Sequence, residues 1–518
     1  MTVYSFNLID QPWIPCLTPK GLQVTLSLKE TLKQSHKLQG IAADLPLETA
    51  AIYRLLIAIL HSALRGPANA SDWNSLWKIG SWDCPLLHTY LGVWHDRFDL
   101  FDDQQPFFQM KDDRVKPKSI ISLALEMASG NNAVLFDHHT EEVPVHLTPA
   151  KAARVLISAQ YFGLAGLSGL EQKFTDSPWS RGAIILVQDE TLFHTLALNL
   201  IRYDDSHPQG IGKTEDDLPA WESEDPYIDR VIPNGYLDYL TWQNRKIQLL
   251  PEGNLSAPMV SQIKVAPALR LDSGILDPFK NYRKDEKYGF LFTRFTEERA
   301  LWRDSSALFN VKSQGENRAP LNFSWVATLA DRGYINKRQT LRFMALGMAN
   351  KQAKIEFFRH EQLPLPLAYL EDTELLGRLE NAITLATEVR EKLWIAVNCM
   401  ATLVVSPTSD GKKRNEINKI TRDQAGQLYN YWSTDRLFWG TLEVPFFTLL
   451  AEIPDYSDVA LVNWKGVLRL TAWRALEQAI NQAGQTAHAL KAAVRARSCL
   501  GHSLKELLTE SIKENVAW

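Results

Sequence analysis

The sequence predicts an α+β fold, a large mixed α/β domain followed by a C-terminal four-helix bundle, on three observations. Up to about residue 364, short strand-like runs alternate with helical stretches and with turns rich in Gly, Pro, Asn and Asp. After Pro364-Leu365-Pro366 the character changes, and four long stretches carry helical periodicity with few prolines or β-branched runs. The 518 residues exceed what one core organises, so two domains are expected, at 1–364 and 365–518.

The elements follow in order. Residues 6–15 (FNLIDQPWIP) and 94–109 (WHDRFDLFDDQQPFFQ) alternate apolar rings with residues that cap, turn or break, as a chain does when it enters and leaves short elements on a core surface. Residues 48–64 place Ile52, Leu55, Leu56, Ile59, Leu60 and Ala63 at helical spacing, and Gly66-Pro67 stops the helix. A second helix is predicted over 149–160, with Pro149 in its first turn. A loop with glycines at 163, 166 and 169 follows, then a buried strand over 183–187. Residues 204–235 read as a long surface connection pinned at Trp221, and 240–310 as short strands and turns carrying several Lys and Arg. Residues 326–346 end in an apolar stretch over 341–346, with a turn expected at 347–350. The bundle helices are expected at 371–400, 423–437, 464–483 and 487–508.

With 45% hydrophobic and 22% charged residues, the composition is that of an ordinary globular protein. Sixteen tryptophans favour packed seams and hence an assembly subunit. A net charge of −4 supplies no global attraction to nucleic acid but leaves room for a local basic groove. Cys16, Cys84, Cys399 and Cys499 form no CxxC pair, so neither a disulfide framework nor a zinc knuckle is expected. The start lacks a secretory n-region and h-region, and the apolar run at 55–60 is too short to span a membrane. A cytoplasmic protein without a membrane partner is expected.

Chemistry-bearing motifs are few. His138, His139, Glu141, Glu142 and His146 lie close together and suggest a metal-dependent nuclease, yet adjacent histidines diverge and no HExxH or HxH pattern is present. An exposed polar loop accounts for them, and no metal or cofactor is expected. There is no GxSxG elbow, Walker A loop or GxGxxG, so the chain does not read as an enzyme. The glycines of 163–169 permit either a tight helix-to-strand connection or a close backbone approach to a groove or phosphate. In Asn350-Lys351-Gln352-Ala353-Lys354-Ile355 the lysines can reach phosphate and Gln352 can offer an amide to a base edge or wedge between base pairs; a solvated hairpin tip is the alternative. Basic residues recur at Lys412, Lys413, Arg414, Lys419 and Arg422, and at helical spacing at Lys491, Arg495, Arg497 and Lys505.

These motifs, in this order and spacing over essentially the whole chain, resemble the CasA family, the large subunit of the type I-E CRISPR surveillance complex Cascade. The resemblance implies a non-catalytic subunit that recognises the protospacer-adjacent motif (PAM) of double-stranded target DNA from the minor-groove side, helps open the duplex for R-loop formation, and recruits the helicase-nuclease. The implied partners are the backbone, small and 5′-end-binding Cascade subunits, the guide RNA, the target duplex and the helicase-nuclease effector. Carried over by residue, Gln352 takes the place of the duplex wedge, flanked by Asn350 and Lys351. Gly163, Ala165, Gly166 and Gly169 form the glycine loop, with Ala165 and Gly166 closest to DNA, and Lys264 stands for the groove lysine. Asn131, Asn132 and Phe136 fall in the loop near the guide-RNA 5′ end. Relatives with a cysteine cluster after the glycine loop would imply zinc; this chain lacks it.

Overall fold

The computed structural model describes residues 4–514 except 127–144, 206, 208–210, 313–314, 316, 352–353 and 412–415, with side chains through residue 508. The chain forms two compact units, one of residues 1–301 and 307–371, the other of residues 302–306 and 372–518. The division expected between 364 and 365 falls inside a strand, Lys354–Pro366, where Leu365 is fully buried opposite Leu341. Sheet pairing therefore carries the first unit past the prolines expected to end it.

The core of the first unit is the helix Pro46–Leu64. Every residue from Leu47 to His61 is buried, so the stripe at helical spacing is only part of an all-round apolar surface. By length and composition it is the one described helix that could cross a membrane, yet most of it is buried inside this unit. It ends where expected, with Arg65 in the left-handed region (φ 54°) and the Gly66 amide donating to His61 O. It packs on the helix Pro149–Phe162, which starts at the Thr148 cap. Glu48, 1% exposed, joins the two by ion pairs to Lys151 Nζ (2.6 Å) and Arg154 Nε (3.0 Å).

Among the described residues, four three-stranded antiparallel sheets surround these helices. Two of them position the candidate site. In one, Thr340–Lys351 lies between Lys354–Pro366 and Ile184–Gln188. In the other, Ala257–Pro267 lies between Lys118–Ser119 and Arg245–Asn254. The turn expected at 347–350 is instead strand, because a glycine there serves close packing: a Cβ on Gly347 would stand 2.9 Å from Gly182 O. Lys351 pairs with Lys354, after a register shift at Ala349/Asn350.

The two opening motifs meet in space. Asn7 bridges Asp99, Leu8 N donates to Phe98 O, Leu100 N donates to Phe6 O, and Asn7 Nδ2 donates to His95 O. Phe98, Phe107, Phe108 and Trp221 form one buried aromatic stack. Gln109 ties it to the sheet, donating to Leu100 O and accepting from Leu249 N. Trp13, Trp73, Trp82, Trp179 and Trp242 are likewise fully buried in this unit, so much of the tryptophan count is core and argues less for an assembly surface than expected.

The second unit is helical: Thr373–Val405, Lys419–Tyr431, Thr434–Ala483 and Ala487–Glu514. Thr373–Val405 packs against each of the others. The helix expected over 423–437 is split at Trp432-Ser433, and Thr434–Ala483 breaks at Tyr456 (φ −137°, ψ 43°), two residues after Pro454, so it comprises two helical segments where the sequence pattern indicates helix only over 434–437 and 464–483.

Candidate nucleic-acid interface

The glycine loop is a hairpin with a fastened base and an open tip. Gly163 caps the helix Pro149–Phe162 with ordinary backbone angles (φ −58°, ψ 136°), so its lack of a side chain answers to space. A Cβ there would lie 2.1 Å from Cζ of Arg245. The two limbs pair at Gly166 and Phe174, whose amides and carbonyls exchange bonds of 3.2 and 3.0 Å. Ala165 N–H donates to Asp176 Oδ1 (2.8 Å), and Arg181 Nε donates to Asp176 Oδ2 (2.6 Å). Gly169 takes the left-handed conformation (φ 79°) that turns the tip, and a Cβ at Gly166 or Gly169 would meet nothing within 4 Å. Leu167 at the tip is 84% exposed.

Arg245 lies buried beneath this loop. Nη1 donates to Ser177 Oγ (2.7 Å) and Asn244 Oδ1 (2.6 Å), Nη2 donates to Leu164 O (2.7 Å) and Thr175 O (3.4 Å), and Cζ stands 5.3 Å from the Phe174 ring centre. Burial pulls its guanidinium down to about 10, with Asp176 opposing, so it stays protonated at neutral pH. In the core, Arg54 sits fully buried against the faces of Tyr161, Trp179 and Tyr239, 3.9 Å from Asp277. Lys280 Nζ donates to Pro178 O (2.7 Å), and burial lowers its ammonium to about 8. Of these cations, Arg245 holds the loop directly, and Lys280 holds the chain just beyond it at Pro178.

Gly163, Ala165, Gly166 and Gly169 are therefore brought together, in one hairpin. Asn350 and Lys351 end the strand Thr340–Lys351, and Lys351 is exposed opposite Lys354. That strand passes Gly182, where Gly347 packs against the Gly182 carbonyl. The Lys264 ammonium pairs with the exposed carboxylate of Asp113 (3.2 Å), and its side chain is 19% exposed. It sits opposite Gln248, about 10 Å along the strand from the Arg245–Pro267 pair that holds the loop. Gln352, Asn131, Asn132 and Phe136 lie outside the described residues, as do His138, His139, Glu141 and Glu142. His146 Nδ1 contacts Glu252 (3.1 Å), and no group of three potential metal ligands occurs among the described residues.

Two sets of cations change meaning in three dimensions. Lys491 and Arg495 both pair with Asp410, and Arg497 pairs with Glu477, so two carboxylates offset half of the four positive charges of the expected basic stripe within its own unit. Conversely, a small sheet of Asn317–Arg318, Tyr282–Asp285 and Gly289–Phe292 presents Arg283, Lys284, Lys287, Arg294 and Arg318, none of them ion-paired among the described residues. Arg318 lies over Phe290 (4.3 Å) and Arg294 over Phe292 (5.0 Å). Phe292 also packs at Gly182, where a Cβ would stand 2.8 Å from its ring, so this sheet and the strand through Gly347 meet at Gly182. The sequence marks the Lys and Arg of 240–310 without revealing a patch; their alternation with Phe and Tyr was the available signal.

The comparisons agree with this architecture. The family model for CRISPR-associated protein Cse1 matches residues 7–497. The CRISPR-associated protein CasA/Cse1 of Thermus thermophilus is 33% identical, over 97% of this chain and 98% of its own. A crystal structure of T. thermophilus CasA superposes with a TM-score of 0.79 at 29% identity, covering 97% of this chain and 99% of that one. A chain of a CRISPR RNA-guided surveillance complex shares the fold, with a TM-score of 0.73 at 19% identity over 96% and 99% of the two chains. A match of this extent across both units identifies the chain as a member of the CRISPR-associated Cse1 (CasA) family.

Proposed function

We propose that this chain is the non-catalytic large subunit of a cytoplasmic RNA-guided Cascade complex. In that role it recognises the PAM in duplex DNA, helps open the duplex for R-loop formation and recruits the helicase-nuclease. The observation that carries the reading is the glycine hairpin, held at its base and with open space at Gly166 and Gly169 on either side of the exposed Leu167 and the half-buried Ser168, together with a sheet of cations that make no ion pair among the described residues. A backbone without Cβ atoms can enter a minor groove, whose degenerate pattern suits a relaxed motif. The cations supply the sequence-independent phosphate attraction that a net charge of −4 does not. Gln352 acts as the wedge, at an unstacking cost of a few kcal/mol that guide pairing offsets. The helical unit serves the small subunits as a four-helix bundle, and the guide RNA and 5′-end-binding subunit meet the 131–136 loop. Sequence specificity is left to the guide.

The test uses the assembled complex. Replacing Gly166 with Leu leaves assembly intact and weakens binding to a PAM-containing duplex by about tenfold, roughly 1.4 kcal/mol. The double variant Lys351→Ala, Gln352→Ala lowers R-loop formation on the same target. Wild-type PAM selectivity in the Gly166 variant would overturn the loop's role; wild-type R-loop yield in the double variant would overturn the wedge. Metal-dependent DNA cleavage by the purified chain, lost on replacing His138 and His139, would favour a nuclease instead.

A further inference from the structure

We propose that Arg245 is the positioning residue of the DNA-reading glycine loop: its buried guanidinium ties the two limbs of the hairpin together and so sets how the tip meets the groove. This rests on the loop being the PAM reader.

Three observations converge on it. Nη2 donates to the carbonyls of Leu164 and Thr175, one on each limb, so one planar group spans the hairpin base. Nη1 anchors that group to the protein through Ser177 Oγ and Asn244 Oδ1, both buried, and Asn244 Nδ2 returns a bond to Thr175 O (3.0 Å). Gly163 completes the arrangement, since any side chain there would occupy the guanidinium's place. The loop's first glycine thus serves Arg245 and leaves DNA approach to Gly166 and Gly169. Asp176 reinforces the same base from the opposite sign of charge, holding Ala165 N–H while Arg181 holds Asp176.

A guanidinium suits this task because its donors lie in one rigid plane, so two carbonyls and two side-chain acceptors are held in fixed relation. A loop whose base is set beforehand loses less conformational freedom on binding, and a contact made by backbone atoms depends on that setting more than one made by a long side chain.

The test compares Arg245→Gln, Arg245→Lys, Asp176→Asn and Gly166→Leu in the assembled complex. It reads subunit stoichiometry, amide exchange at Ala165 and Phe174, and the ratio of affinities for a PAM duplex and the same duplex with the motif scrambled. Arg245→Gln is expected to keep stoichiometry, speed exchange at both amides and lower the ratio by about tenfold. Arg245→Lys keeps the charge without the fork and recovers only part of the ratio. Asp176→Asn, a milder change at a partly exposed site, moves both readouts in the same direction and keeps the proposal testable if Arg245→Gln does not fold. A purely structural role would lower thermal stability and leave the ratio alone. Unchanged exchange, or an unchanged ratio with faster exchange, overturns the positioning role. If Gly166→Leu also leaves the ratio unchanged, the loop reading itself has failed; if Gly166→Leu lowers it and the Arg245 and Asp176 variants do not, Arg245 alone is misassigned.

Discussion

Gly163 and Gly166 belong to one loop and answer to different constraints. Because a Cβ on Gly163 would overlap Arg245, Gly163→Ala is expected to destabilise the protein by about 2 kcal/mol through overpacking, read by chemical denaturation. Gly166→Ala, with open space around it, stays within about 0.5 kcal/mol in the same measurement. An equal loss at both positions would show that the Arg245 contact does not set the difference. The glycine loop was legible because three glycines stand close in sequence. Arg245 was not, since it reaches the loop from a strand 81 residues beyond Leu164. The partner of Lys264 was hidden for a related reason: its nearness to Asp113 arises only from the pairing of distant segments.

At the scale of elements, helix ends were the most readable features, because caps are local. The stop at Arg65-Gly66 and the start at Thr148-Pro149 fall within a residue or two of expectation. What joins those two helices was not visible, namely the buried carboxylate of Glu48 between Lys151 and Arg154. Glu48→Ala leaves Lys151 with Asp44 and Glu126 and Arg154 with Asp44, so the loss of its two short ion pairs is expected to cost about 2 kcal/mol, seen as a lowered denaturation midpoint. A loss below about 1 kcal/mol would show that solvent reaches the pair. The strand through Gly347 was misread as a turn because glycine marks both turns and close approaches, and only the position of Gly182 decides between them.

At the scale of the whole molecule, stability is expected to depend on two histidines buried together in the first unit. His61 and His207 flank Tyr236, with ring centres 4.9 and 4.7 Å away. Burial pushes His61 down to about 3, helped by repulsion from His207, and pushes His207 down to about 4, helped by Arg202. The unfolded chain takes up these protons near pH 6.5 and the folded protein does not, so stability is full above that pH and falls as the pH drops towards 4. The slope reaches about 1.4 kcal/mol per pH unit for each histidine. Denaturation midpoints between pH 7.5 and 4.5 check this, and His61→Phe should flatten the curve. An unchanged slope would mean that other groups govern the acid limb. The charge balance also needed the folded molecule, since Asp410 and Glu477 offset two of the three positive charges at 491–497 while the cations of the Tyr282–Asp285 sheet make no ion pair among the described residues.

The sequence by itself determined the family, the change from mixed to helical architecture and the places where glycines allow a bare backbone, because each rests on residues that are neighbours in the chain. The tertiary structure decided which glycine makes room for a buried cation and which stays open, which lysines and arginines are free, and where the first unit ends. Those depend on partners brought together from distant segments, and neither hydrophobic period nor local spacing records them.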